Sequence, residues 1–175
     1  SKSDYLTAII QRVDPKFMRS FMHQMDSVIA RTVMAHPSDS TAMNLAGVWY
    51  YSTDRKDEAG RWFRQNAETY PASLSANASF VEFLMYAEKW DDLAAEGRKA
   101  FEKFPDETAF LEMASVGDFN MGRYESVLEI CGKVLEIAPA DSSGTLRAWS
   151  TMGDIYYKLG DPKKAYKAYD KALKI

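Results

Sequence analysis

The residues of this chain best suited to chemistry are Cys131, His23, His36 and the acid pair Asp91-Asp92, and their spacing supports no reaction. Cys131 is the sole cysteine, so an intramolecular disulfide and a cysteine metal cluster are both ruled out. The two histidines stand far apart without carboxylates at helical spacing, which leaves no metal site. Asp91 and Asp92 follow Trp90 at an expected helix start, where two negative charges complement the helix dipole. There is no glycine-rich phosphate loop, no HExxH pair and no GxSxG elbow. The expectation is a non-enzyme with no catalytic residue, no metal and no cofactor.

Composition narrows the class further. The chain has 175 residues, 46% hydrophobic and 27% charged, the make-up of an ordinary folded protein. A net charge of −3 argues against a general nucleic-acid binder, which needs a basic face to neutralise phosphates. The charge is uneven. Residues 74–107 hold eight acidic and four basic side chains, and residues 108–145 hold six and two. Residues 146–175 reverse the balance with seven basic against three acidic, including Lys158, Lys163, Lys164, Lys167, Lys171 and Lys174. Those lysines read as a solvated helix face or as a surface for an acidic partner. No stretch approaches the ~18 apolar residues of a membrane span, so no membrane insertion is expected. The compartment stays open between cytoplasm and bacterial periplasm.

The elements that must position any site are set by four prolines. Pro37, Pro71, Pro105 and Pro139 each stand 34 residues from the last, and a fixed period of this length marks a repeat array. Aligned on them, the chain falls into blocks 40–73, 74–107, 108–145 and 146–175, each with two apolar-periodic stretches split by a polar turn. In the last block Gly160 ends one helix while Asp161-Pro162 caps and starts the next, predicting helices over about 145–159 and 162–174. Four surplus residues within Pro139–Thr145, a stretch that includes Ser142, Ser143 and Gly144, read as a bend between blocks. Residues 1–39 read as a degenerate helical hairpin: a short helix over Tyr5–Val13, then an Asp14-Pro15 cap and a long helix reaching about Ala35. Its stripe of Met18, Met22, Met25, Ile29 and Val33, widened by Phe17 and Phe21, either packs on the next block or offers a methionine-rich face to a partner.

These residues resemble the tetratricopeptide repeat, whose pattern is Trp-x₂-Leu-Gly-x₂-Tyr, then Ala-x₃-Phe, an alanine and proline. The last block has Trp149, Met152, Gly153 and Tyr156, then Ala165, Tyr169 and Ala172. Block 40–73 has Met43, Ala46, Gly47, Tyr50, Ala59, Phe63 and Pro71, and block 108–145 has Leu111, Ala114, Ser115, Val127, Cys131, Val134 and Pro139. The resemblance implies an all-α fold, a right-handed α-solenoid of helix-turn-helix repeats with about ten helices, in one continuous domain. Gly47 opposite Ala59 and Gly153 opposite Ala165 would let paired helices approach, with Trp149, Tyr156 and Tyr169 filling space between hairpins. Cys131 takes an inward slot and reads as buried packing. Block 74–107 departs from the pattern. Val81 and Leu93 stand where small residues belong and Gly97 stands where an aromatic belongs, either a volume exchange or a distorted hairpin. Asp118 replaces a tyrosine.

The resemblance also implies a function. Such repeats bind a helix or extended peptide of a partner protein on a concave face lined by the first helix of each repeat. Carried over by slot, that face is Asn44, Val48 and Tyr51, then Ala78, Glu82, Met85 and Tyr86, then Glu112, Val116, Phe119 and Asn120, then Arg147, Asp154, Tyr157 and Lys158. Tyr51, Met85, Phe119 and Tyr157 share one slot and form a mostly aromatic ladder, either a groove or partly covered core. The clamp of lysines, arginine and asparagines that holds chaperone tails is absent, since its slots carry Asn44 with Val48, Ala78 with Glu82, and Glu112 with Val116. The alternative is a structural segment of a longer array, possible in a bacterial envelope protein. In that reading Tyr166, Tyr169 and Leu173 lack a polar capping helix, and the last repeat supports self-association.

Overall fold

A computed structural model describes residues 20–175, and among these are nine α-helices and no strand. The Tyr5–Val13 helix, the Asp14-Pro15 cap, Phe17 and Met18 lie outside the described residues. The chain divides into two compact units, Ser1–Phe83 and Leu84–Ile175. The first holds α1 (Met22–Ala35), α2 (Ser40–Ser52), α3 (Lys56–Thr69) and most of α4 (Leu74–Tyr86). The second holds the end of α4, then α5 (Trp90–Lys103), α6 (Ala109–Asn120), α7 (Tyr124–Ile137), α8 (Ser142–Lys158) and α9 (Pro162–Ala172).

The proline period corresponds to one turn used four times. Proline restricts the residue before it, and His36, Tyr70, Phe104 and Ala138 all leave the helical region, with φ of −135°, −123°, −129° and −126°. Each proline then occupies the second position of a β-turn. The N–H groups of Asp39, Ser73, Glu107 and Asp141 donate to the carbonyls of His36, Tyr70, Phe104 and Ala138 at 3.1, 2.9, 3.0 and 3.1 Å.

A second turn also recurs at the same interval, with a lengthening in the last step. Asp54, Glu88, Gly122 and Gly160 take left-handed φ of 61°, 57°, 70° and 76°. Each donates its N–H three residues back, and the next residue donates five back, as Arg55 does to Tyr50 at 2.8 Å and Asp161 to Tyr156 at 2.9 Å. This is the Schellman geometry that satisfies the last carbonyls of a helix. At Asp54 and Glu88 a side chain bears the steric penalty of that conformation, about 1 kcal/mol each.

The four surplus residues lie in a helix. Asp141 accepts from the Ser143 N–H at 3.1 Å and caps a helix that begins at Ser142, so the surplus is helical and makes α8 the longest described element at 17 residues. An interval of four fits because it is close to one helical turn. α9 begins at Pro162, with Asp161 accepting from the Lys164 N–H at 3.0 Å. Asp39 caps α2 in the same way, through Thr41 at 2.7 Å and Ala42 at 3.3 Å.

In the N-terminal unit α1 packs on α2. Ile29, Leu45, Ala46 and Trp49 form the core, with Met22, Met25 and Val33 half-buried against it. The described part of the methionine stripe is therefore packing surface. Trp49 is 0% exposed and donates its indole N–H to Asp26 Oδ1 at 2.7 Å. Arg55 binds both oxygens of Asp26, at 2.7 and 3.2 Å, with its guanidinium 4.5 Å from the Tyr50 ring centre. Burial works against the Asp26 carboxylate, but the Arg55 and Trp49 hydrogen bonds and the Arg55 charge outweigh it and hold its pKa below the ordinary 3.8.

The helix seams differ from expectation. A Cβ on Gly47 would lie 2.8 Å from the Phe63 ring, and one on Gly153 would lie 2.4 Å from the Tyr169 ring. Glycine thus receives an aromatic ring from the second helix of its own hairpin, and Tyr169 fills space inside a hairpin rather than between two. Gly97 and Gly117 act in another way. Their Cβ positions would meet backbone: the Phe110 carbonyl at 2.8 Å and the Trp90 carbonyl at 2.5 Å. These two glycines bring α5 and α6 together main chain to main chain. The aromatic missing at Gly97 is thereby explained by a seam to the next helix.

Beside that seam, Asp118 is buried at 1% exposure. Its carboxylate accepts from Arg98, from Ser126 Oγ at 2.7 Å and from Arg123 at 3.5 Å, while Arg123 also reaches Asp91 at 2.6 Å. A buried carboxylate needs such partners, because an unpaired one would carry its full desolvation cost.

Candidate protein-binding site

The C-terminal unit contains a cavity of about 280 Å³ built from three helices and the end of a fourth. α6 supplies Ala109, Glu112, Val116 and others, and α7 supplies Ile130, Cys131 and Val134. Gly144, Arg147, Ala148 and Thr151 come from α8, and Met85 closes one side. The wall is mostly apolar because these positions recur at helical spacing on inward faces. At the rim the Arg147 guanidinium grips the Glu112 carboxylate with two bonds, Nε to Oε2 at 2.7 Å and Nη2 to Oε1 at 3.0 Å, and also donates to Ser143 Oγ. The extra first turn of α8 is what places Ser143 and Gly144 there. Burial pushes the Cys131 thiol up to about 11, helped by the Glu112 charge, so it stays protonated near neutral pH and behaves as an apolar wall group.

A smaller cleft of about 200 Å³ lies in the N-terminal unit and is polar. Ser40, Thr41 and Asn44 of α2, Asn66 of α3 and Ser75, Ala76 and Ser79 of α4 line it. The described His, Cys, Asp and Glu residues form no group able to hold a metal, and no described helix is long and apolar enough to cross a membrane.

Residues 146–175 match the family model "Tetratricopeptide repeat". Among solved structures, that of MamA aligns with a TM-score of 0.69 at 17% identity, covering 93% of this chain and 94% of the other. Another MamA structure aligns at 0.69 and 17%, covering 97% and 91%. YrrB, described as a TPR protein with an unusual peptide-binding site, aligns at 0.66 and 18%, covering 91% and 81%. No curated protein matches the chain in sequence. The fold is that of tetratricopeptide-repeat proteins.

Within that repeat frame, the fifteen residues expected on one face separate into groups. Met85, Glu112, Val116 and Arg147 come together around the cavity. Phe119 is half-buried against Tyr124 with ring centres 5.8 Å apart, and Lys158 Nζ lies 5.5 Å from its ring centre. Tyr157 is 72% exposed, and Asp154 accepts from the Tyr169 hydroxyl at 2.6 Å. Asn120 turns its amide onto its own helix at the Val116 carbonyl, 2.8 Å away. In the N-terminal unit, Tyr51 is half-buried edge-on to Phe83 at 6.0 Å, Val48 packs against the Trp49 cluster and Asn44 lines the polar cleft. Ala78 is half-buried, whereas Glu82 and Tyr86 are exposed. Of the ladder, then, Tyr51 and Phe119 are engaged by neighbouring rings and Tyr157 projects outward.

Residues missed by the sequence reading are the cavity's α7 wall (Ile130, Cys131, Val134) and Asn66. The first three occupy inward slots indistinguishable in the sequence from ordinary core. Asn66 did carry a signal: it is a polar residue one position before the inward Ala67, near the end of an apolar face. The lysines of the basic end are also less free than expected, since Lys164 and Lys171 lie 5.4 and 6.0 Å from the ring centres of Tyr156 and Trp149.

Proposed function

We propose that the chain is a non-enzymatic protein-interaction scaffold, and that the cavity of the C-terminal unit seats an apolar side chain from a helix or extended segment of a partner protein. The carrying observation is the cavity itself: about 280 Å³ of mostly apolar wall beneath an ion pair that is already satisfied. A charged ligand gains little there, because Glu112 and Arg147 neutralise each other. An apolar side chain gains by leaving water, and the ion pair orients the segment that carries it. Phe119, Asn120, Tyr157 and Lys158 extend that surface. Tyr51, Val48, Asn44, Ala78, Glu82, Tyr86 and Asp154 hold the remaining first-helix slots. The repeat fold supports this reading, as does the likeness to YrrB.

Peptides selected from a random display library on the full chain, then measured by calorimetry, test it. They are expected to share one large apolar position and to bind Val116→Glu at least tenfold more weakly, with the melting temperature unchanged because Val116 is already exposed. Peptides that bind Val116→Glu and Phe119→Glu as tightly as the wild type overturn the reading.

A second reading rests on α9, which exposes Tyr166 at 74%, and on Leu173 just beyond it at 87%. This outer face favours self-association and a structural role. Light scattering over a concentration range is expected to show mass growing with concentration and the growth lost in Leu173→Glu. A wild type that stays monomeric throughout removes this alternative.

A further inference from the structure

The polar cleft of the N-terminal unit carries an unmet demand. Asn66 is 1% exposed, yet its Oδ1 is buried with no hydrogen-bond partner, and the same holds for Oδ1 of Asn44 across the cleft wall. A buried carbonyl oxygen left unpaired is costly, so two in one small space call for donors from outside the fold.

The main-chain donors at the cleft are already used, and no hydroxyl of its wall reaches either asparagine oxygen. The N–H groups of Thr41 and Ala42 are taken by Asp39, and the Ala76 N–H donates to Ser73 Oγ at 3.3 Å. An anion has nothing to gain, because the α2 start is already capped by the Asp39 carboxylate. An ammonium or guanidinium would enter a cleft whose lining residues are all uncharged and would bear the desolvation of a charge. A main-chain amide offers one N–H for two oxygens. A primary carboxamide offers two N–H groups, and its own oxygen can accept from the serine and threonine hydroxyls around it. Because it donates and accepts in one plane, it suits the cleft whichever way the asparagine amides are turned.

We propose that the cleft formed by Asn44, Asn66, Ser75 and Ser79 is a binding site for a primary carboxamide, carried by the asparagine or glutamine side chain of a partner or by a small free amide. It is a separate site from the apolar cavity and of opposite chemistry, and it stands whether or not that cavity binds peptides.

The probe is propionamide, titrated into uniformly ¹⁵N-labelled full chain while the side-chain NH₂ signals of Asn44 and Asn66 are followed. Saturable shifts of both signals are expected with propionamide, and none with propionate or propylammonium. A second arm compares N-acetylglutamine N-methylamide with the glutamate analogue. Tighter binding of the former than of propionamide assigns the site to a peptide side chain, and equal or weaker binding assigns it to a free amide. Asn66→Leu is expected to weaken propionamide at least tenfold. Asn44→Val, at a half-buried position, is expected to do the same and covers the case in which Asn66→Leu does not fold. An absence of saturable shift, equal shifts with all three probes, or undiminished binding in a folded Asn44→Val overturns the proposal and leaves ordered water as the only occupant.

Discussion

The seam at Gly47 and the seam at Gly97 and Gly117 join helices by different means. In the N-terminal unit a polar lock on the rim, Asp26 with Trp49 and Arg55, ties α1 to α2, and the glycine of the hairpin receives the ring of Phe63. In the C-terminal unit α5 and α6 meet main chain to main chain at Gly97 and Gly117, with the carboxylate of Asp118 fully enclosed beside them. The first arrangement can yield, since a ring can shift and a partly exposed ion pair can be replaced by water. The second cannot, because backbone has nowhere to go and an enclosed charge has no substitute partner. The same repeat thus tolerates change at the Gly47 seam and resists it at the seam of Gly97 and Gly117.

The strongest test of this contrast removes the enclosed charge. Asp118→Ala is expected to lower stability in urea by about 3–4 kcal/mol, through loss of the charge-assisted hydrogen bonds from Arg98, Ser126 and Arg123 and of the enclosed side chain. Asp26→Ala, at a partly exposed pair, is expected to cost about 2 kcal/mol, because it also leaves the buried Trp49 indole N–H unpaired. Similar losses in both would dissolve the distinction.

The seams give the next test. Gly117→Ala drives a methyl into the Trp90 carbonyl and is expected to cost about 3 kcal/mol, whereas Gly47→Ala meets a ring and costs about half as much. Thermal melts of the two variants read the difference directly.

Acid sharpens the comparison further. The folded pKa of Asp26 lies below its unfolded value, so its stabilisation is present at neutral pH and is lost as pH falls through the folded value. Asp26→Asn is expected to lose less stability than wild type as the pH is lowered through and below 3.8, followed by urea titration at each pH.

The smallest effect is at the left-handed turns. Glu88→Gly is expected to raise stability by about 0.5–1 kcal/mol and Gly122→Ala to lower it by about as much, although a Cβ at Gly122 meets nothing within 4 Å. Differential scanning calorimetry of the pair separates backbone strain from packing.

These contrasts mark where local sequence stops being informative. The proline turns are legible because proline acts on its immediate neighbours, and Gly160 with Asp161-Pro162 is legible for the same reason. The left-handed turns at Asp54 and Glu88 are not, since neither residue type announces that conformation. Gly97 and Gly117 make sense only against Phe110 and Trp90 on another helix, and Asp118 only once Arg98 is brought beside it. Four residues of the cavity, Met85, Glu112, Val116 and Arg147, are legible through repeat slots. The α7 wall behind them reads as core until the space in front of it is known.

The lengthened α8 has a consequence for how such chains diversify. Adding four residues inside a helix advances it by one turn and rotates the downstream positions by only about 40°, so inward-facing residues stay inward. A lineage can therefore extend one rod by a whole winding, and gain new side chains such as Ser143 at a rim, without re-solving the interior.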